Sequence, residues 1–127
     1  MKKAVFISLF AILGCVADID NIEIATEPYR LSTSDINFAK SAVAEESRDP
    51  EAVRFRNFSG YKTSAGDTIV CAEVNAKNAY GGYVGYRPMW ARFNGKKVKS
   101  TLWAEKHVAT VIEGCAEARA GRTMVSS

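Results

Sequence analysis

The sequence predicts an α+β domain with an N-terminal helix, an antiparallel sheet of about four strands and a C-terminal helix disulfide-linked to the sheet. Three observations carry this. Apolar residues recur at helical spacing on both sides of a central region that alternates with period two. Cys71 falls in a strand pattern and Cys115 in a helix pattern, and both remain after an N-terminal export signal is accounted for. With 127 residues and 47% hydrophobic content, the chain is long enough for one core and too short for two.

The export signal comes first. Met1-Lys2-Lys3 is basic, residues 4–13 are uncharged and mostly apolar, and Gly14-Cys15-Val16-Ala17 supplies small residues before Asp18. The apolar run is shorter than the roughly 20 residues that cross a bilayer, so export followed by processing is expected. Two processing outcomes compete. Ile12-Leu13-Gly14-Cys15 resembles a lipobox, although Leu13 is a less usual choice at its position than a small residue. Cutting there removes residues 1–14 and acylates Cys15, and Val16 beside the lipid anchor favours the outer membrane. Alternatively, Cys15-Val16-Ala17 reads as a small-x-small site, and loss of residues 1–17 leaves a periplasmic protein. The formal charge of +3 includes Lys2 and Lys3, so the mature chain is nearly neutral and carries no global signature of nucleic-acid binding.

Residues 15–31 read as a tether, because Asp18, Asp20, Asn21, Glu23 and Glu27 interrupt any apolar face and Pro28 closes the segment. The globular domain is expected over 32–127. A helix should start at Ser32, whose spacing to Asp35 is that of a capping box, and should bury Ile36, Ala39 and Val43 before Pro50 stops it by Arg48. Val53 and Phe55 then alternate with Arg54 and Arg56, as in a strand with one wet face. The arginines suit either solvent or an anionic ligand. Gly60 and Ala65-Gly66-Asp67 read as turns. Residues 68–75 are the clearest strand, apolar on both faces at the start and therefore central.

Residues 86–93 form the next strand pattern, with Pro88 implying an edge position or a start at Met89. Asn94-Gly95 signals a hairpin leading into Lys96, Lys97 and Lys99. Those lysines suit either edge protection or anionic head groups beneath a tethered domain, and edge protection is the preferred reading. Val108, Val111, Ile112 and Cys115 then define a helix over about residues 104–120, ended by Gly121 and followed by a fraying tail.

Cys71 and Cys115 are too far apart in sequence from any other sulfur for a zinc site, and His107 is the single histidine. In an oxidising compartment they should pair, turning the Ile69 and Cys71 face toward the last helix. Glu73 shares that face, so its carboxylate needs a partner such as Arg119 or a place at the sheet margin.

No nucleophile elbow, phosphate-binding glycine loop or zinc-protease helix is present, and no cofactor or metal is implied. Two functions remain. The first is an envelope binding module in which Asn75, Asn78, Tyr80, Tyr83, Tyr86 and Arg87 form a recognition patch for a protein or glycan, since Tyr gives contact area and Asn gives donors and acceptors. Against it stands a structural reading, in which the glycines permit a bend and the tyrosines cover the core margin. The second is a hydrolase of envelope polymers that uses Glu73.

The segments Asp49-Pro50-Glu51-Ala52-Val53-Arg54-Phe55-Arg56-Asn57, Val70-Cys71-Ala72-Glu73-Val74-Asn75-Ala76-Lys77-Asn78 and Gly81-Gly82-Tyr83-Val84-Gly85-Tyr86-Arg87-Pro88 resemble a group of small uncharacterised bacterial exported proteins and lipoproteins. The resemblance covers the middle third of the chain. It implies an exported single domain and a Cys71 that belongs to the pattern, and it brings no activity.

Overall fold

The β-branched and small residues of Thr68–Asn75 form the strand on which the sheet is built. The computed structural model describes residues 21–126; the export signal and Cys15 lie outside them. In order, the elements are β1 (Asn21–Pro28), α1 (Thr33–Ala44), β2 (Arg54–Thr63), β3 (Thr68–Asn75), β4 (Arg87–Asn94), β5 (Lys97–Leu102), α2 (Val108–Arg119) and β6 (Arg122–Ser126). Short 3-10 turns occupy Pro50–Ala52 and Glu105–His107. The sheet is antiparallel throughout, ordered β5-β4-β3-β2-β1-β6, and it curls into a half-barrel.

This corrects the expected sheet of about four strands: six are present. The two additional strands are the terminal segments. Residues 21–28, expected in the tether, form β1 between β2 and β6, and residues 122–126, expected to fray, form the β6 edge. Each supplies backbone partners that the other lacks. Ile22 lies opposite Val125 and Ile24 opposite Thr123, so the short alternating patterns of both segments become meaningful only once they meet.

Three local features also differ from expectation for identifiable reasons. Gly60 continues β2 instead of turning it, because a Cβ there would come within 2.5 Å of the Leu31 side chain and the Tyr29 carbonyl oxygen. Pro88 sits in β4, which is flanked by β3 and β5, yet β5 ends at Leu102 opposite Trp90 and leaves Pro88 without a neighbour on that side. The hairpin loop is Gly95-Lys96, one residue later than the Asn-Gly dipeptide suggests, with Asn94 paired to Lys97 and Gly95 at φ 57°.

One helix covers each face of the sheet. On the first face, Ala39 and Val43 of α1 meet Val70, Ala72 and Val74 of β3 and Met89, Ala91 and Phe93 of β4. The expected capping box is formed: the Asp35 N–H donates to Ser32 Oγ and the Ser32 N–H donates to Asp35 Oδ2, both at 3.0 Å. The helix stops at Ala44, and Glu46 just beyond it accepts from Trp103 Nε1 at 2.8 Å and from the Thr101 hydroxyl.

On the second face, Val111 and Ala118 of α2 pack on Tyr61, Ile69, Cys71 and Trp90. Cys71 and Cys115 are joined by a disulfide with Cα atoms 6.1 Å apart, as their positions in the sequence suggest. Ile112, expected on the buried stripe, is exposed instead. The helix ends beside Gly121, which adopts φ 98°.

At the β6 side of this second face lies a buried ionic cluster. The Asp67 side chain is fully buried and accepts from Arg92 Nε at 2.8 Å, Lys99 Nζ at 3.1 Å and Asn94 Nδ2 at 3.0 Å. Arg92 Nη1 continues to the Met124 carbonyl at 3.2 Å, joining β4 to β6 across the curl of the sheet. Burial pushes the Asp67 carboxyl up, but hydrogen bonds from Lys99, Asn94 and Arg92 outweigh it and hold the group below the usual carboxylate range. The cluster therefore ties the β2–β3 turn, the β4–β5 hairpin and β6 to one another.

Candidate recognition surface

Beyond β3 the chain makes a loop whose polar side chains serve its own backbone. Asn75 is buried, and its Oδ1 accepts from the Gly85 N–H at 3.0 Å. Asn78 Oδ1 accepts from the Tyr80 N–H at 2.9 Å and the Gly82 N–H at 3.1 Å, while the Asn78 N–H donates to the Gly82 carbonyl at 2.8 Å. An isolated bridge between Lys77 and Tyr83 closes the base of the tip. Gly81 at φ 80° and Gly85 at φ 97° occupy the left-handed region, which glycine enters without steric cost. The excursion is thus built with little freedom to lose on contact with a partner.

The tyrosines divide into two kinds. Tyr83 donates its hydroxyl to the Ala52 carbonyl at 2.7 Å, and the Arg54 guanidinium lies over its ring at 4.3 Å. Arg56 lies over the Tyr86 ring at 3.7 Å. These are two neighbouring cation–π stacks, since Arg54 and Arg56 share one face of β2. Tyr80 differs from both: it is 97% exposed at the tip of the loop. Arg87, the last member of the predicted patch, faces Glu105 at 3.6 Å.

The predicted patch is therefore brought to one end of the sheet but is not uniformly available. Asn75, Asn78 and Tyr83 hold structure, Tyr86 and Arg87 are partly covered, and Tyr80 is open. Arg54 and Arg56 belong to the same surface. The sequence shows their shared strand face but gives no sign that two tyrosines from a distant loop fold over it.

Glu73 is not paired with Arg119. It pairs with Arg56 Nη2 at 2.9 Å and accepts from Asn57 Nδ2 at 2.6 Å. Arg56 lies directly opposite Glu73 in the β2–β3 register, and the bulge that follows it, where Asn57 adopts φ 59°, brings the Asn57 amide to the same carboxylate. Hydrogen bonds from Asn57 and Arg56 hold the Glu73 carboxyl below its ordinary range. Glu73 also lines a hollow beside the disulfide, together with Pro88, Ile112 and Arg119, and no second carboxylate lines it.

Among the described residues, no group of three His, Cys, Asp or Glu side chains is placed to hold a metal, and no helix is long and apolar enough to cross a membrane. The disulfide is compatible with an extracellular or periplasmic location. Comparison with protein-family models, with curated proteins and with solved structures finds no match.

Proposed function

We propose that this chain is a small envelope binding module, exported and either lipid-anchored through Cys15 at the outer membrane or released into the periplasm, in line with its resemblance to small exported bacterial proteins. The observation that carries the binding reading is Tyr80, fully presented on a loop whose own hydrogen bonds fix its shape. A rigid aromatic presented in this way offers contact area without an ordering cost, and Arg54, stacked on Tyr83 of the same loop, keeps a guanidinium edge for a carboxylate or phosphate. The ligand class is an envelope protein or glycan with acidic groups.

A hydrolase built on Glu73 is the competing reading. Its carboxylate is committed to Arg56 and Asn57 and held ionised, which removes it as a proton donor at neutral pH. Incubation of the purified protein with peptidoglycan separates the two. Retention that falls about tenfold in Tyr80→Ala supports the binding module. Product release that survives Tyr80→Ala and disappears in Glu73→Gln would replace it with the hydrolase. Tyr80→Ala is the informative variant because Tyr83 and Tyr86 also support the loop. Loss of palmitate labelling in Cys15→Ser tests the anchor separately.

A further inference from the structure

The strand registers sort the molecule into two ends. The loop bearing Tyr80 follows the last residue of β3 and precedes β4, so it lies at one end. At the other end lie Asn21, where β1 begins; Ser126, where β6 ends; the β2–β3 turn; and the Gly95-Lys96 hairpin loop. Among the described residues, this second end carries a surplus of positive charge. Arg92, Lys96, Lys97 and Lys99 stand there against the carboxylates Asp67 and Glu23. Around the Tyr80 loop, by contrast, three of four cations face carboxylates, Arg56 with Glu73, Lys77 with Asp49 and Arg87 with Glu105, while Arg54 lies over the Tyr83 ring.

Edge protection accounts for only part of the lysine cluster. Lys97 and Lys99 lie on the edge strand β5, but Lys96 sits in the hairpin loop, outside any strand. Lys99 is tied to Asp67, leaving Lys96 and Lys97 as the exposed lysines at the tip. Exposed Ile22, Val98 and Met124 lie near the ends of β1, β5 and β6 at the same rim. The Asp67 cluster holds these parts together, so the rim is a fixed surface.

The position of Cys15 gives this end a direction. Because residues 21–28 belong to the sheet, only residues 16–20 separate Cys15 from β1. Even fully extended, that link reaches only about 20 Å. We infer that the rim carrying Lys96 and Lys97 is a contact surface for an anionic phospholipid bilayer, with the Tyr80 loop directed away from it. The orientation rests on the proposed anchor at Cys15; the attraction of the lysines to acidic head groups does not.

The protein made as residues 16–127, which keeps every described residue and carries no acyl group, is sedimented with vesicles of phosphatidylethanolamine and phosphatidylglycerol, and separately with phosphatidylcholine vesicles. Lys96→Gln/Lys97→Gln should lower partitioning onto the anionic vesicles by about 30-fold, a difference that shrinks as salt is raised. It should leave phosphatidylcholine partitioning unchanged, and Lys106→Gln, in the 3-10 turn that follows β5, should change neither. Equal partitioning of wild type and the double variant overturns the inference, as does an equal loss in Lys106→Gln or an equal loss on both kinds of vesicle. The mass of the processed protein reports acylation independently. A protein without acyl mass at Cys15 ends the anchor reading, while the vesicle comparison still decides the lysines.

Discussion

The two faces of the sheet are held by different physics. Under α1 the contacts are aliphatic and aromatic, with Phe38 edge-on to Phe93 at 4.8 Å between ring centroids and Lys40 lying over the Phe55 and Phe58 rings. Under α2 the apolar patch is smaller and is supplemented by a covalent link and by a fully buried carboxylate bonded to two cations. Gly114 of α2 faces the Trp90 ring, and a Cβ there would stand 3.4 Å from it, so this helix approaches closely at the expense of side-chain packing. One helix is retained by burial, the other by bonds that solution conditions can break. The first face should respond to cavities and the second to reductant and acid.

The disulfide is the largest expected effect. Its ends are 44 residues apart, and closing a loop of that size is worth about 4 kcal/mol in the chain-entropy account. Cys115→Ser, or reduction of the wild type, should lower unfolding free energy by about that amount in urea titrations. Native-state hydrogen exchange should show α2 amides losing protection before α1 amides, and loss of both together would abolish the distinction between the faces.

Asp67→Ala should cost about 3 kcal/mol, because it leaves the buried Arg92 guanidinium without its counter-charge. The same group gives this face a pH dependence. The folded pKa of Asp67 lies below its unfolded value, so the stabilisation is complete above about pH 4 and is lost as pH falls through the folded pKa. In thermal melts at neutral pH and at about pH 3, the difference between wild type and Asp67→Ala should narrow at the lower pH. A penalty that stays constant with pH would mean that packing, not charge, holds the cluster.

Val43→Ala tests the other face. Two buried methyl groups are removed from a fully enclosed site, for a cost of about 2 kcal/mol that should be the same at both pH values. Ser32→Ala is the smallest of the four effects, about 1 kcal/mol from loss of the capping box, read from the same melts.

How much of this was legible depended on how local the cause was. β3, the Ser32 cap and the pairing of Cys71 with Cys115 could be read because a β-branched run, a capping spacing and a lone pair of cysteines after residue 15 are each visible without knowledge of the rest of the fold. β1 and β6 could not. Ile22, Ile24 and Thr26 do alternate, but the acidic residues among them look like a tether until a partner strand nearly the full length of the chain away is known. Asp67 looked like an ordinary turn residue because its cations come from β4 and β5, and only the register brings them to it. At the candidate site, composition set residues 75–87 apart from the rest of the chain. It could not separate Asn78, which serves its own loop, from Tyr80, which serves nothing in the chain.

The placement of β1 also bears on how the protein reaches its folded state. β1 can pair with β2 as soon as residues 54–63 are available, but its other edge waits for residues 122–126. A chain synthesised from its N-terminus therefore carries an open strand edge until residues 122–126 have emerged. Such long-range closure is slow compared with hairpin formation. The first strand of the sheet is thus sealed by the last.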